Sequence, residues 1–478
     1  MFIQQLYSWR IYMKNRFNQK KLYSLFVYSF YLICIIPFLN ISKNLEYDNW
    51  FIFIFWFTIF HFIFTFTFLK SIRIELFSIS GVFIFISYIF HLGQIVLKII
   101  APNYNYSFDI SNFMTETIYK EAIIFSLITI SFVSLGVMMS AIIDLKKREE
   151  SDTVISNKTI VNIGWIILIC TFPIEFYYSI IKIIVGIKKG YTEVLGVESI
   201  GILSQIARFH LIGVGLLIMG YSKSPRKSTI IFLVYTLYGI FTMLSGSRIY
   251  QLVSIVLLMY IFLKSTKIKF SVRKIVILGV FGFFLMVFLN AITEIRSGNS
   301  RDIAFLWTAL SESFNNNPIY ATLEEFGGTL YTVCLTVLQV PNSVNYSHGL
   351  QFITNFVSVL PNINGLFSEV NRNSNFVLYL DTKAIGGSYI AELYYSFNYA
   401  SYLAATIIGF VVGFSSNRFK LFLDQGRFYA AAYYIMPFFS LLIWVRGSSG
   451  VFIRNSLWGA VFIFIVCRVF VKKNRRKN

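Results

Sequence analysis

The chain has 478 residues, 56% of them hydrophobic and only 13% charged, with a mean hydropathy of +0.66 and a formal net charge of +20. Globular domains carry about a quarter charged residues, so lipid must solvate much of this surface and a soluble enzyme is excluded. The positive charge is divided among the connections between apolar runs, a membrane pattern that carries no expectation of a nucleic-acid partner.

Arg10, Lys14, Arg16, Lys20 and Lys21 precede the first apolar run, and no small-residue cleavage site follows it. It reads as an uncleaved first span. A span takes roughly 20 apolar residues to cross about 30 Å. That window places helices near 22–40, 50–69, 74–97, 121–143, 159–185 and 202–220, then near 229–245, 249–263, 275–293, 386–414, 428–445 and 453–470. Basic clusters follow the even-numbered runs, among them Lys70 with Arg73, Lys146 to Arg148, Lys223 to Lys227, Lys264 to Lys274, Arg418 to Arg427 and Arg468 to Lys477. Lysine and arginine collect on the cytoplasmic side of bacterial spans. The prediction is therefore an all-α, multi-pass protein of a bacterial cytoplasmic (inner) membrane, both termini cytoplasmic. It forms one polytopic domain over 1–478 with about twelve transmembrane helices.

The one long connection, 294–385, falls on the outer (periplasmic or extracellular) side. Its apolar stretches at 328–340 and 350–360 are too short to span and are predicted as short interfacial or re-entrant helices at the outer leaflet. Connections of this size usually carry function. The absence of a visible internal repeat argues against common transporter folds.

Charge beside hydrocarbon is costly and marks function. With the cytoplasmic cations set aside, Arg208, Arg248, Arg296, Arg301, Arg372, Arg446 and Arg454 remain. Arginine grips phosphate with a two-pronged fork and stays charged when partly dried. Such a cluster asks for an anionic, membrane-borne ligand.

Three Gly/Ser turns sharpen this: Ser245-Gly246-Ser247-Arg248, Gly386-Gly387-Ser388, and Arg446-Gly447-Ser448-Ser449-Gly450 with Arg454 just beyond. Each feeds an outward-facing helix N-terminus, where unpaired N–H groups and the positive dipole end attract anions. Together they read as a pyrophosphate site. Arg248, Arg446, Arg454, Ser247, Gly387 and Ser388 are its main ligands, and Arg208, Arg296, Arg301 and Arg372 are further candidates. The structural alternative is tight turns, helix caps and snorkelling arginines.

Glu392 lies one helical turn beyond Ser388, and both an ion pair and a catalytic base fit it. His61, His91 and His210 sit within spans and read as buried hydrogen-bonding groups. His348, at Tyr346-Ser347-His348-Gly349, is the histidine placed to act as a base outside the membrane. Cys34, Cys170, Cys334 and Cys467 lie far apart in no ligand spacing, so neither a disulfide framework nor a metal site is expected.

The Ser-Gly-Ser-Arg turn between two helices resembles the oligosaccharide repeat-unit polymerases of the O-antigen polymerase (Wzy) type. So do the large outer loop, the stretch Gly386-Gly387-Ser388-Tyr389-Ile390-Ala391-Glu392-Leu393-Tyr394-Tyr395-Ser396-Phe397, the glycines Gly409 and Gly413, and the late Arg-Gly-Ser turn. The similarity spans roughly 229–456. One departure is Phe397-Asn398, where the family often reads Phe-Gly.

The resemblance implies a metal-independent, cofactor-free glycosyltransferase acting outside the cytoplasmic membrane. It would move a growing glycan from undecaprenyl pyrophosphate to the non-reducing sugar of a new lipid-linked unit, building O-antigen, capsule or exopolysaccharide. Arg248, Arg446 and Arg454 would hold the donor pyrophosphate, and Glu392 or His348 would be the base. Membrane lipids, a chain-length regulator and a flippase are the partners it implies. An O-antigen ligase, or a flippase or transporter of lipid-linked oligosaccharide, is the rival reading.

Overall fold

In hydrocarbon every backbone N–H and C=O must be paired within its own segment, which leaves helices as the natural outcome for runs of this length. The computed structural model describes residues 2–143, 156–189, 193–194, 197, 201–246, 248–268, 272–297, 303–315, 317–357, 359 and 386–475. Among them every regular element is helical. In chain order these are α1 (Phe2–Ser42), α2 (Tyr47–Ser71), α3 (Ile79–Ile100), α4 (Glu116–Ser140), α5 (Asn157–Lys189) and α6 (Gly201–Arg208). Next come α7 (His210–Gly220), α8 (Pro225–Met243), α9 (Ile249–Thr266), α10 (Val272–Ser297), α11 (Ile303–Asn315), α12 (Pro318–Gly327) and α13 (Leu330–Gln339). The last are α14 (Leu350–Val357), α15 (Tyr389–Phe397), α16 (Ser401–Asp424), α17 (Phe428–Ala432), α18 (Ile435–Trp444) and α19 (Ser449–Arg475).

All twelve apolar runs fall on helix, and nine helical stretches among the described residues are long and apolar enough to cross a membrane. The protein is an all-helical, polytopic membrane protein. Contacts divide the chain into two compact units, the first comprising 1–149, 326–350 and 388–418, the second 150–325, 351–387 and 419–478.

The first unit is built inside-out relative to a soluble bundle. On α2, Trp56, Phe60 and Ile63 are exposed, whereas Thr58, His61 and Thr65 are buried. Apolar side chains meet lipid tails and the few polar ones turn inward to find partners. His61 Nδ1 pairs with the Tyr88 hydroxyl at 2.5 Å and Nε2 with Ser131 Oγ at 2.6 Å; Tyr88 reaches Thr65, which also bonds Tyr28 at 3.1 Å. Helix α13, the short helix expected at 328–340, is buried against α3, α4 and α15.

Helices α4 and α16 cross backbone to backbone. A methyl group at Gly409 would land on the Val133 carbonyl, one at Gly136 on the Thr406 carbonyl, and one at Gly413 on Ser140 and Val137. Asn398 ends α15 with φ +49° and ψ −130°, a positive-φ conformation that lies outside the left-handed helical region and that glycine adopts most readily.

The second unit packs α5 against α6, α7 and α8, with α9, α10, α18 and α19 around them. Met243, Ile255, Leu289 and Ile292 form an apolar knot joining α8, α9 and α10. Gly186 approaches Ser245, so the C-terminal end of α5 lies beside the α8–α9 turn. Helix α14 buries Gln351 and Asn355 while Leu350, Ile353 and Phe356 stay exposed.

Candidate active site

A cavity of about 280 Å³ opens in the second unit at the end of the helices that carries the α8–α9 turn. The C-terminal half of α5 supplies Glu175, Ser179 and Lys182, spaced so that all three share one helix face. Arg208 comes from the end of α6 and His210 from the start of α7; α8 adds Tyr235, Tyr238 and Thr242. Ser245 and the first turns of α9, with Tyr250, Gln251 and Ser254, close it. Two cations against one carboxylate give the lining a net positive charge, and hydroxyl groups make up most of its other polar groups.

The cations are held in different ways. Arg208 Nη1 donates to Asn455 Oδ1 at 3.0 Å, and the same oxygen accepts from Gln205 at 3.3 Å. Asn455 is fully buried on α19, so a fixed amide aims the guanidinium and uses one of its five donors. Lys182 forms no salt bridge among the described residues. Ser179 donates to Glu175 Oε1 at 3.2 Å and pairs with the Tyr238 hydroxyl at 3.0 Å. His210 is bonded at both nitrogens, to the Ala207 carbonyl at 2.8 Å and the Tyr235 hydroxyl at 3.1 Å.

The residues expected from the sequence have several placements. Arg208 lines the cavity. Arg248 sits beside it, buried, but its fork is committed: Nη1 donates to the Leu289 carbonyl at 2.5 Å and Nη2 pairs with Glu325. It ties the α8–α9 turn to α10 and α12 rather than presenting an open fork. Gly386 packs on the Arg446 side chain, bringing two of the three Gly/Ser turns together. Arg454 is half-buried in the first turns of α19, whose leading Ser449 accepts from Asn355 at 2.6 Å.

Ser388 caps α15, accepting from the Ile390 and Ala391 N–H groups, and pairs with His91 Nε2 at 2.7 Å. Its hydroxyl is occupied, and Gly387 beside it is buried. The Arg296 side chain, together with Ser247, Arg301 and Arg372, lies outside the described residues.

Glu392 is completely buried in the first turn of α15. Its side chain has no exposed surface. His348 is exposed, on a turn held to the end of α15 by Ser347 N–H on the Tyr395 carbonyl (3.0 Å) and Gly349 N–H on the Ser396 carbonyl (3.1 Å). Glu392→Gln is therefore expected to abolish polymer, with reduced folded protein, while His348→Ala keeps polymer substantially intact. Immunoblots beside glycan ladders check both, and loss of polymer in His348→Ala at normal protein levels would make the loop histidine the base.

Glu175 and Lys182 escaped the sequence reading because it followed arginines. The signal was present: two ionisable residues seven apart inside an apolar run, an expensive arrangement in lipid. Among the described residues no group of three or more His, Cys, Asp or Glu is arranged to hold a metal.

The chain is, as a class, a polytopic helical membrane protein with a cationic, hydroxyl-lined cavity among its helices. The chain belongs to the O-antigen polysaccharide polymerase Wzy family, whose model matches residues 6–475. Membership makes it a polymerase of lipid-linked oligosaccharide repeat units, a transferase of glycosyl groups. No curated protein and no solved structure matches the chain.

Proposed function

We propose that this polymerase transfers a growing glycan from an undecaprenyl-pyrophosphate carrier to the non-reducing sugar of an incoming lipid-linked unit, on the outer face of the bacterial cytoplasmic membrane. The observation that carries the proposal is the placing of Arg208 and Lys182 in one cavity. That cavity lies at the helix ends opposite those bearing Lys158, Lys223, Arg226, Lys227 and Lys264, the ends the charge rule assigns to the cytoplasm. In the reaction the bond from the sugar C1 to the diphosphate oxygen breaks as a bond from C1 to the acceptor hydroxyl oxygen forms. Arg208 and Lys182 neutralise charge growing on the departing diphosphate. Glu175, the carboxylate in the same lining, accepts the hydroxyl proton. The tyrosine and serine hydroxyls supply donors and acceptors for the sugars.

Alanine at Arg208 or Lys182 is expected to cut polymer formation by about 10²-fold or more, the usual effect of losing one charge-stabilising donor. Arg208→Lys is expected to be nearly as damaging as Arg208→Ala, because a point charge does not replace the fork. The readout is the glycan length ladder at matched protein levels. A normal ladder from both alanine variants would remove the cavity from the reaction.

A further inference from the structure

Beside the polar cavity lies a second, apolar one. It has a volume of about 430 Å³ and runs between α5 and α8, with Trp165, Leu168 and Phe172 on one side and Ile230, Ile231 and Val234 on the other. Trp165, Ile230 and Val234 are exposed, so the groove opens toward the lipid. Tyr235 and Tyr238 line both spaces. Their hydroxyls point into the polar one, bonding His210 and Ser179, while the Tyr238 ring packs against Phe172 at 5.0 Å. The two tyrosines form a wall, wet on one side and greasy on the other.

We propose that this groove receives the isoprenoid chain of the same lipid-linked substrate whose diphosphate occupies the polar cavity; the inference rests on that reading of the cavity. Three observations commit the groove to this occupant. It abuts the site of the cations, so one molecule with an anionic head and an apolar tail spans both. From Lys227 to Tyr238 it extends about 16 Å along α8 at a rise of about 1.5 Å per residue, roughly half the thickness of the hydrocarbon core. At its far end Lys227 lies over the Tyr221 ring, 5.6 Å from the ring centre. A single slot of this form takes one linear chain, whereas a phospholipid brings two. Branched aliphatic and aromatic walls suit a methyl-branched chain, and the remainder of a long polyprenol would continue into the bilayer. The chain thereby anchors the diphosphate at a fixed depth, which positions the scissile bond against Arg208 and Lys182.

The test uses the full-length protein in lipid nanodiscs with three probes: undecaprenyl diphosphate, inorganic pyrophosphate and phosphatidylglycerol. Leu168→Trp and Val234→Trp fill the groove. They are expected to weaken undecaprenyl diphosphate binding about tenfold or more, a loss of about 1.4 kcal/mol per tenfold, and to leave pyrophosphate and phosphatidylglycerol binding unchanged. Unchanged affinity for undecaprenyl diphosphate overturns the groove. An equal loss for phosphatidylglycerol also overturns it, reducing the groove to a general lipid contact. Because a tryptophan can disturb folding, the wild-type protein is also labelled with undecaprenyl diphosphate carrying a photoreactive group on its chain. Adducts are expected within 165–172 and 227–235, and adducts confined elsewhere overturn the proposal. Arg208→Ala separates the two readings. If it leaves pyrophosphate binding intact while the groove variants behave as expected, the cavity reading fails and the groove stands.

Discussion

Gly409→Leu is expected to leave almost no folded protein in the membrane, and Gly409→Ala to lower the melting temperature, whereas Gly279→Ala is expected to be neutral or stabilising. The contrast isolates packing from helix propensity. In a helix interior, alanine is ordinarily more favourable than glycine by about 1 kcal/mol, and at Gly279 a new methyl meets nothing within 4 Å. At Gly409 the same methyl falls on the Val133 carbonyl, and Gly136 makes the reciprocal contact with Thr406. Both obstacles are backbone, which cannot rotate away, so the helices must separate. Overpacking typically costs about 1–3 kcal/mol. Separation here also breaks the ring contacts of Tyr402 with Phe125 and Phe132, at 5.6 and 5.2 Å. Association between helices in lipid rests on such close approach because burial of apolar surface contributes little there. Fluorescence-detected size exclusion and a thermal ramp on the three variants decide the matter. A monodisperse Gly409→Leu protein with unchanged melting temperature would mean that the crossing contributes nothing.

Much of this architecture was legible because hydropathy reports directly on lipid. Twelve apolar runs became helices since their backbone had no alternative, and the short stretch at 328–340 became a helix for the same reason. Its burial was not legible, because Leu330, Val333 and Cys334 are as suited to an outer leaflet as to a protein interior. The glycines of α16 were visible as a motif, but their partner Gly136 lies more than 270 residues earlier in the chain, and nothing local announces the pairing. The site shows the same limit. Arg208 stood out by cost alone, yet Asn455, which aims it, is an unremarkable residue in a distant span. Arg248 was marked by the same cost, but its employment on the Leu289 carbonyl and Glu325 was not legible, since both partners are distant in the chain.

That employment carries the other large expected effect. Arg248→Ala is expected to lower both the melting temperature and polymer yield, and pairing it with Glu325→Gln is expected to recover most of the loss. The guanidinium is almost fully enclosed, bonded to the Leu289 carbonyl and paired with Glu325, whose side chain is only 23% exposed. Removing one member of a buried pair leaves a stranded charge, at a cost of about 3–5 kcal/mol in a full interior; the partial exposure of Glu325 places this case toward the lower figure. Glu325→Gln removes the stranded charge, so the double variant is expected to be milder than the sum of the single ones by about 0.5–3 kcal/mol. Arg248→Lys is expected to lie close to Arg248→Ala, because one ammonium cannot serve a carbonyl and a carboxylate in the guanidinium's geometry. The loss of activity follows from position. The turn that Arg248 fixes carries Ser245 and leads into Tyr250 and Gln251, which line the cavity. Melting temperatures of the four proteins, with glycan ladders at matched levels, complete the cycle. If the two single losses simply add, the pair contributes nothing to stability; if Arg248→Ala stops polymerisation with no change in melting temperature, Arg248 acts on the substrate itself rather than through the turn.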